Sequence, residues 1–97
     1  MSVIVLLDLK FKAESLAEAT DAFRRELVTT RAFAGNLTTE VLVDEDDATH
    51  WVVYEIWDSI AADEAYRSFR AGEGEMTQLP SWLEASFVKT RFMTSDV

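Results

Sequence analysis

Apolar side chains recur at every second position near the start and in the middle of the chain, which is the spacing of β-strands. Residues 3–11 are apolar at each odd position, and Ile4 and Leu6 make part of the opposite face apolar as well. Residues 51–57 show the same two-sided pattern. Both segments are therefore predicted to be strands that are covered on both faces.

Two segments have the spacing and the end signals of amphipathic helices. Ser15 and Glu18 have the form of a capping box, and apolar residues follow at helical spacing to about Arg31. Ser59 can cap a second helix that ends near Arg70, before two glycines. The sequence therefore predicts one helix after each of these two strands.

Two further strands complete a predicted antiparallel sheet. Residues 37–43 alternate in polarity, and the alternation puts Leu37 on the same face as Val41. The polar turn at residues 44–49 joins this strand to the next one in a hairpin. Residues 87–94 form the last strand. The order is β-α-β-β-α-β, so the chain is predicted to be a single ferredoxin-like α+β domain with a four-stranded antiparallel sheet.

The apolar second face of the sheet predicts association between copies. Two helices can cover only one face of a four-stranded sheet, and an antiparallel sheet normally has polar residues on its solvent side. Here several strands are apolar on both faces, and no segment is left to cover the second one. The same face of another copy is the simplest cover. A homodimer through the sheet face is therefore predicted.

Composition excludes several classes of partner and site. The formal net charge is -9, from 18 acidic against 9 basic residues, so neither nucleic acid nor an anionic membrane is an expected partner. The chain has no cysteine and His50 is its only histidine, which excludes disulfides and thiolate or multi-histidine metal sites. The apolar start is interrupted at Asp8 and lacks a basic leader region, so it is interpreted as the first strand of a cytoplasmic protein.

Three segments carry a resemblance to a known family, namely residues 30–37, 54–59 and 62–66. They resemble the antibiotic biosynthesis monooxygenase family. Its loose signature is centred on a glycine before the second strand, here Gly35, and on the Glu-x-Trp-x-Ser end of the third strand. The likeness spans nearly the whole chain. It implies ferredoxin-like protomers whose sheets pair into a dimeric α+β barrel.

The resemblance also implies a range of activities. Members of the family include cofactor-independent oxygenases of anthrone-type intermediates, quinol monooxygenases and haem-degrading enzymes. The function expected here is a monooxygenase that oxidises an anthrone- or quinol-type aromatic molecule with no bound cofactor or metal. Two alternatives stay open: a non-catalytic dimer that binds a small molecule or another protein, and a haem-degrading enzyme. Haem is disfavoured because Tyr66 stands where many members have a histidine.

Trp57 and Tyr66 are the predicted catalytic residues. Trp57 shares its strand face with Glu55 and is expected to face a cavity between helix and sheet, where its indole N–H could donate to a substrate oxygen; a core side chain is the alternative. The Tyr66 hydroxyl could bind a phenolate or relay a proton, or could lie half-buried with its tip in water. The general base stays open among Tyr66, Glu55 and solvent. Residues expected to bind the substrate are Asn36, Phe23, Phe33, Phe69 and Trp82.

Other charged residues are not assigned to the site. His50 follows the acidic turn at the wrong end of its strand, and nothing supplies the partners of a nucleophilic triad. Arg31 and Arg91 could hold an anionic substrate. Ion pairing with Glu55 or Glu40 is the default expectation for both. No glycine loop that would cradle a flavin phosphate is visible, although a partner enzyme could supply reduced flavin.

Overall fold

Four antiparallel strands and two long helices make up the protein, and a computed structural model describes residues 2–97. The strands lie in one sheet in the order β2-β3-β1-β4. The predicted ferredoxin-like α+β fold, with its β-α-β-β-α-β order, is confirmed. A four-residue helix precedes the last strand. The elements are β1 (Val3–Lys10), α1 (Leu16–Ala32), β2 (Asn36–Asp44), β3 (Asp47–Trp57), α2 (Ile60–Arg70), α3 (Leu79–Trp82) and β4 (Val88–Met93).

The two faces of the sheet differ in what covers them. β1 pairs with β3 so that Val5 lies opposite Glu55, and both are buried on the face that α1 and α2 cover, called the helix face below. No element of residues 2–97 covers the other face, called the open face. The sequence pattern therefore corresponds to a covered helix face and an apolar, uncovered second face. The apolar residues of the open face are Ile4, Leu6, Leu42, Val52, Tyr54, Ile56, Val88 and Phe92.

Of the two predicted N-terminal helix caps, one is present and one is absent. The Oγ of Ser59 accepts the backbone N–H of Ala62 at 3.1 Å, so the predicted cap of α2 is confirmed. The predicted capping box at Ser15 is wrong, because that side chain makes no capping hydrogen bond. Ser15 has φ -98° and ψ -5° and ends a short 3-10 turn, so the chain enters α1 with a backbone that is already helical. No helix within residues 2–97 is long and apolar enough to cross a membrane.

The pairing of β2 with β3 contains an irregularity that the alternating pattern did not predict. Asn36 lies opposite Trp57 but Thr38 lies opposite Ile56, so Leu37 has no partner on β3. This is a β-bulge, in which the extra residue is left unpaired. Leu37 lies within β2 as predicted, but it has no partner on β3 and is 60% exposed.

Gly35 connects α1 to β2 in a conformation that requires glycine. Its φ is +90°, a region that residues with a side chain rarely adopt. A Cβ there would lie 2.4 Å from the Cβ of Ala62 at the start of α2. The Gly35 carbonyl also accepts the Asp58 N–H at 2.9 Å. This turn therefore packs the end of α1 against the start of α2, above the helix face.

Candidate active site

Two groups of aromatic side chains fill the space between the helix face and the helices. Within each group the rings contact one another edge-on or tilted, as is typical of aromatic packing. The first group, with ring centroids 4.5–5.9 Å apart, consists of Phe11, Phe23 and Trp51. The second group, with contacting rings 5.0–6.2 Å apart, consists of Phe33, Trp57, Tyr66 and Phe69. The two groups belong to separate parts of the core.

A cavity of about 220 Å³ lies on the helix face and touches both aromatic groups. Its lining comes from β1, α1, β3, α2 and the segment that leads into α3 and β4. Most of it is apolar, but several polar groups reach it. Such a lining suits a largely apolar ligand with a few polar atoms. The polar residues that line the cavity are Thr30, Glu55, Tyr66, Arg67, Arg70 and Glu75.

The Tyr66 hydroxyl belongs to a hydrogen-bond network between α2 and α1. Arg70 Nε donates to Tyr66 Oη at 2.7 Å, and Thr30 Oγ1 lies 2.5 Å from the same oxygen. Arg70 also donates to Thr30 Oγ1 at 3.1 Å and to the carbonyls of Glu26 and Gly74 at 3.0 and 2.9 Å. The positions of Tyr66 and Arg70, one helical turn apart, explain their contact. The network places a cation and a phenol on the cavity wall.

A second polar network is centred on Glu55, which is only 1% exposed. The indole N–H of Trp57 donates to Glu55 Oε1 at 3.0 Å, and Arg67 Nη2 forms an ion pair with the same oxygen. Arg67 Nε in turn donates to Asp63 Oδ1 at 3.0 Å. The Arg67 guanidinium also lies 4.7 Å from the centre of the Tyr66 ring. These contacts bring the two networks together at one side of the cavity.

Asp63, on α2, connects this network to the edge strand β4. It is fully buried and contacts three cations: Arg67, Lys89 at 2.8 Å and Arg91 at 3.2 Å. Burial alone raises the pKa of Asp63, but the hydrogen bonds from Lys89 and Arg67 outweigh it, so the pKa lies below its ordinary value. Since Lys89 and Arg91 belong to β4, Asp63 ties that edge strand to α2.

Two of the predicted site residues reach the cavity. Tyr66 and Phe23 both line it. Trp57 does not, because its ring is fully buried and its indole N–H is already bonded to Glu55. The structure therefore offers no direct contact between Trp57 and a ligand, and its catalytic role stays a prediction.

The other predicted binding residues lie around the cavity rather than on its wall. Phe33 and Phe69 pack in the second aromatic group, and Trp82 belongs to the core around the first. The Asn36 side chain donates to Thr39 Oγ1 at 2.8 Å, at the start of β2. Their roles in binding stay predictions, since none of them lines the cavity in this conformation.

The partners predicted for two isolated cations are corrected. Arg91 pairs with Asp63, and Arg31 donates through Nε and Nη2 to the backbone carbonyl of Thr39 at 3.1 and 3.0 Å. The sequence analysis did not single out Arg67, Arg70 or Thr30 for the cavity. For Arg70 the available signal was helical spacing, since it lies four positions after Tyr66 on the same side of α2. Arg67 is one position after Tyr66 and Thr30 lies on α1, so this spacing identifies neither of them.

The cavity does not fit a metal or haem. Within residues 2–97, no three histidine, aspartate or glutamate side chains are grouped as metal ligands would be. Tyr66 stands where a histidine ligand to haem iron would be expected, and its oxygen is bonded to Thr30 and Arg70. The cavity volume of about 220 Å³ is also smaller than the roughly 300–1,000 Å³ of pockets for drug-sized ligands. Haem is at least as large as such a ligand and would need a pocket in that range. The haem-degrading alternative therefore has no support in the geometry.

His50 lies on the open face, on the side of the sheet away from the cavity. Its Nδ1 is 2.9 Å from Asp44 Oδ2 and its Nε2 is 3.1 Å from Asp8 Oδ1. Carboxylates only accept hydrogen bonds, so both contacts are satisfied together when the imidazole carries two protons. The hydrogen bonds that His50 donates to Asp44, and secondly to Asp8, raise the pKa of His50 above its ordinary value. It is a local ion-pair residue and not a base for the cavity.

A pH dependence follows from His50. Because its folded-state pKa is raised, its contribution to stability is complete below about pH 6.5 and is lost as the pH rises through the folded-state pKa. An NMR titration of the imidazole is expected to show this raised pKa, and Asp44→Asn is expected to lower it toward the ordinary value. Asp46→Asn, in the same turn, is the matched control and should leave it raised. An unshifted His50 in the unmodified protein would contradict the assignment.

The fold and the cavity define a class: a ferredoxin-like α+β protein with a mostly apolar cavity between its sheet and its helices. The sequence model of the antibiotic biosynthesis monooxygenase family matches residues 2–72. The chain therefore belongs to the antibiotic biosynthesis monooxygenase family. No functionally curated protein matches its sequence.

Solved structures share the fold at low sequence identity. A conserved protein from Methanosarcina mazei Go1 is 12% identical, with a TM-score of 0.90 over 98% of this chain and 94% of that one. Rv0793 from Mycobacterium tuberculosis is 16% identical, with a TM-score of 0.86 over 100% of this chain and 98% of that one. A mutant of SnoaB, a cofactor-independent oxygenase from Streptomyces nogalater, is 14% identical, with a TM-score of 0.83 over 99% of this chain and 95% of that one.

Proposed function

We propose that this protein is a cofactor-independent monooxygenase that hydroxylates a small aromatic molecule of the hydroquinone type. The observation that carries the proposal is the cavity on the helix face, where an apolar lining meets Tyr66, Arg67 and Arg70. Membership of the antibiotic biosynthesis monooxygenase family supports a monooxygenase reaction. The similarity to SnoaB, which is a cofactor-independent oxygenase, supports a reaction without flavin or metal.

The size of the cavity favours a substrate with one or two rings. Its volume of about 220 Å³ is below the roughly 300–1,000 Å³ of pockets for drug-sized ligands. A three-ring anthrone would fill or exceed it, whereas a benzene or naphthalene hydroquinone would leave room for oxygen. Of the two substrate types that the family implies, the quinol type is therefore the one we propose.

The reaction needs no external reductant because the substrate supplies all the electrons. The hydroquinone loses its two hydroxyl hydrogens, one ring C–H becomes C–OH, and the second oxygen atom leaves as water. The products are one hydroxyquinone and one water for each hydroquinone and each O₂. The four electrons that reduce O₂ come from the hydroquinone-to-quinone oxidation and from the new C–O bond.

The protein must stabilise the electron-rich phenolate and exclude water from it. The guanidinium groups of Arg67 and Arg70 place positive charge beside the cavity, where a low dielectric strengthens their attraction for an anion. The apolar lining excludes water from the reacting molecule. Tyr66 adds a phenol that can share a proton with the substrate oxygen after a rotation of its hydroxyl.

A second candidate, a non-catalytic binding protein, has a specific observation in its favour. The Tyr66 hydroxyl is already engaged by Thr30 and Arg70, and Arg67 by Glu55 and Asp63. A binder with these groups satisfied internally would hold an aromatic molecule by its apolar walls alone. It would bind hydroquinones without consuming oxygen, which separates it from the monooxygenase.

We also propose that the working form is a homodimer through the open face. An uncovered apolar face of this kind is typical of a surface that another copy covers. The cavity lies on the opposite side of the sheet, so a sheet-to-sheet dimer would leave both cavities accessible.

Oxygen uptake by the metal-free and flavin-free protein tests the proposed function. A panel of benzene and naphthalene hydroquinones is expected to include one whose oxygen consumption the protein accelerates over buffer. Tyr66→Phe is expected to lower kcat/KM by about tenfold to a hundredfold, because it removes one polar group from the site of developing charge. Thr29→Val, which removes an exposed hydroxyl on α1 that does not line the cavity, is the control. Tight binding without any oxygen uptake would favour the binding protein instead.

A further inference from the structure

Among residues 2–97, Glu55 is the only acidic side chain that is both buried in the sheet and part of the cavity wall. It projects from near the end of β3 onto the helix face and is 1% exposed. A carboxylate in such a place is costly unless hydrogen bonds compensate it. Glu75 also lines the cavity, but it is solvent-exposed. The position of Glu55 therefore needs an explanation beyond surface charge.

The contacts of Glu55 are concentrated on one of its two oxygens. Trp57 and Arg67 both donate to Oε1, and no group among residues 2–97 donates to Oε2. Within the same residues, every side-chain nitrogen or oxygen that is sealed from the exterior has a hydrogen-bond partner. Because Oε2 has none, it is not sealed in the core. Oε2 therefore keeps contact with accessible space, and the cavity is the space that Glu55 lines.

We propose that Glu55 is the general base of the cavity and that Oε2 accepts a hydroxyl proton from the bound hydroquinone. The inference rests on the proposed function and adds the residue that starts the reaction. The substrate O–H bond breaks, its electron pair stays on the substrate oxygen, and the proton goes to Oε2. When the second oxygen atom leaves as water, Glu55 returns this proton to it.

The neighbours of Glu55 fix the orientation that this step requires. Trp57 and Arg67 hold Oε1 in the same place before and after proton transfer, so the carboxyl group does not need to rotate. Asp63 holds Arg67 from the other side. Trp57 is thus a positioning residue that acts through Glu55, which accounts for a tryptophan next to the cavity that does not line it.

Kinetics of Glu55→Gln give the first test. Glutamine keeps the side-chain length and an oxygen for Trp57 and Arg67, but it cannot accept a proton. With the hydroquinone that the unmodified protein oxidises, kcat/KM is expected to fall by about 10²–10⁴-fold. The loss should shrink as the pH approaches the pKa of the substrate, because the substrate then arrives already ionised. Glu64→Gln, an exposed carboxylate on α2, is the control and should keep both the rate and its pH profile.

Binding of 4-nitrophenol without oxygen gives a second test that does not depend on turnover. The unmodified protein and Glu55→Gln are compared by the pH dependence of their affinity for this probe. Below the pKa of the probe, its neutral hydroxyl can donate to the Glu55 carboxylate, so the unmodified protein is expected to bind it more tightly than Glu55→Gln does. Above that pKa the order should reverse, because the carboxylate repels the phenolate and glutamine does not. Glu55→Asp, which keeps a carboxylate on a shorter side chain, should keep the pH dependence of the unmodified protein. Circular dichroism establishes that each variant is folded.

The outcomes separate this inference from the proposed function. Unchanged kcat/KM and pH profile in Glu55→Gln, or the same pH dependence of probe binding in both proteins, would overturn the role of Glu55 while leaving the monooxygenase in place. Probe binding that depends on Glu55 in the expected way, with no oxygen uptake from any hydroquinone, would overturn the monooxygenase but support Glu55 as a proton acceptor.

Discussion

Replacement of Asp63 by asparagine is expected to lower the free energy of unfolding by about 3 kcal/mol, the lower end of the range for a broken buried ion pair. Asp63 is fully buried and is the shared counter-charge of Arg67, Lys89 and Arg91. An amide in its place leaves these three cations without that charge. Their partial exposure, 24–34% of each side chain, keeps the cost at the lower end. For a domain of this size, the melting temperature should fall by about 12 °C or more.

Thermal and urea unfolding measure the effect of Asp63→Asn. Asp21→Asn is the matched control, since Asp21 is an exposed helical aspartate whose nearest cation, Arg24, is 3.8 Å away. It should change stability by less than about 0.5 kcal/mol. Because the pKa of Asp63 is lowered, its contribution is present above about pH 4 and is lost as the pH falls through the folded-state pKa. Equal stability of the two variants would show that the three cations do not depend on Asp63.

The second large effect is expected on assembly. Leu6 lies on the central strand β1 and in the middle of the open face. In a sheet-to-sheet dimer, Leu6→Lys would bury one unpaired charge from each copy. This is expected to raise the dissociation constant by about a hundredfold or more. The same lysine is tolerated in a single copy, where the open face meets water.

Sedimentation velocity at micromolar concentration measures this effect. The unmodified protein is expected to sediment at twice its chain mass of 11.0 kDa, and Leu6→Lys at the mass of one chain. Val28→Lys is the control, because Val28 is 67% exposed on α1 and lies outside the open face. A monomeric unmodified protein would contradict the proposed dimer, as would a Leu6→Lys variant that stays dimeric.

Most of the fold could be predicted because local patterns determine it. The two-residue period of β1 and β3, the cap at Ser59 and the short polar hairpin each depend on neighbouring residues alone. The sequence pattern was an incomplete guide where the backbone departs from regular geometry. Ser15 matches a capping box in sequence, but its backbone is already helical. Leu37 fits the alternation of β2, but a bulge removes its partner on β3.

The candidate site could be predicted only in part because it depends on tertiary packing. The alternation of side chains along β3 was enough to put Glu55 and Trp57 on the helix face. Helical spacing was enough to direct Tyr66 toward the sheet. Sequence could not show that the Trp57 N–H is used by Glu55, which keeps that ring from the cavity wall. Nor could it show that Arg70 reaches from α2 to the backbone of α1. Such contacts depend on the distance between elements far apart in sequence.

The most direct test of the central claim is the fate of labelled oxygen. The metal-free and flavin-free protein would be supplied with ¹⁸O₂ and the hydroquinone that it consumes fastest, and the product would be analysed by mass spectrometry. The account predicts a hydroxyquinone with one ¹⁸O atom per molecule, one O₂ consumed for each, and no hydrogen peroxide. An unlabelled quinone with one hydrogen peroxide per O₂, or no oxygen consumption above buffer, would contradict it.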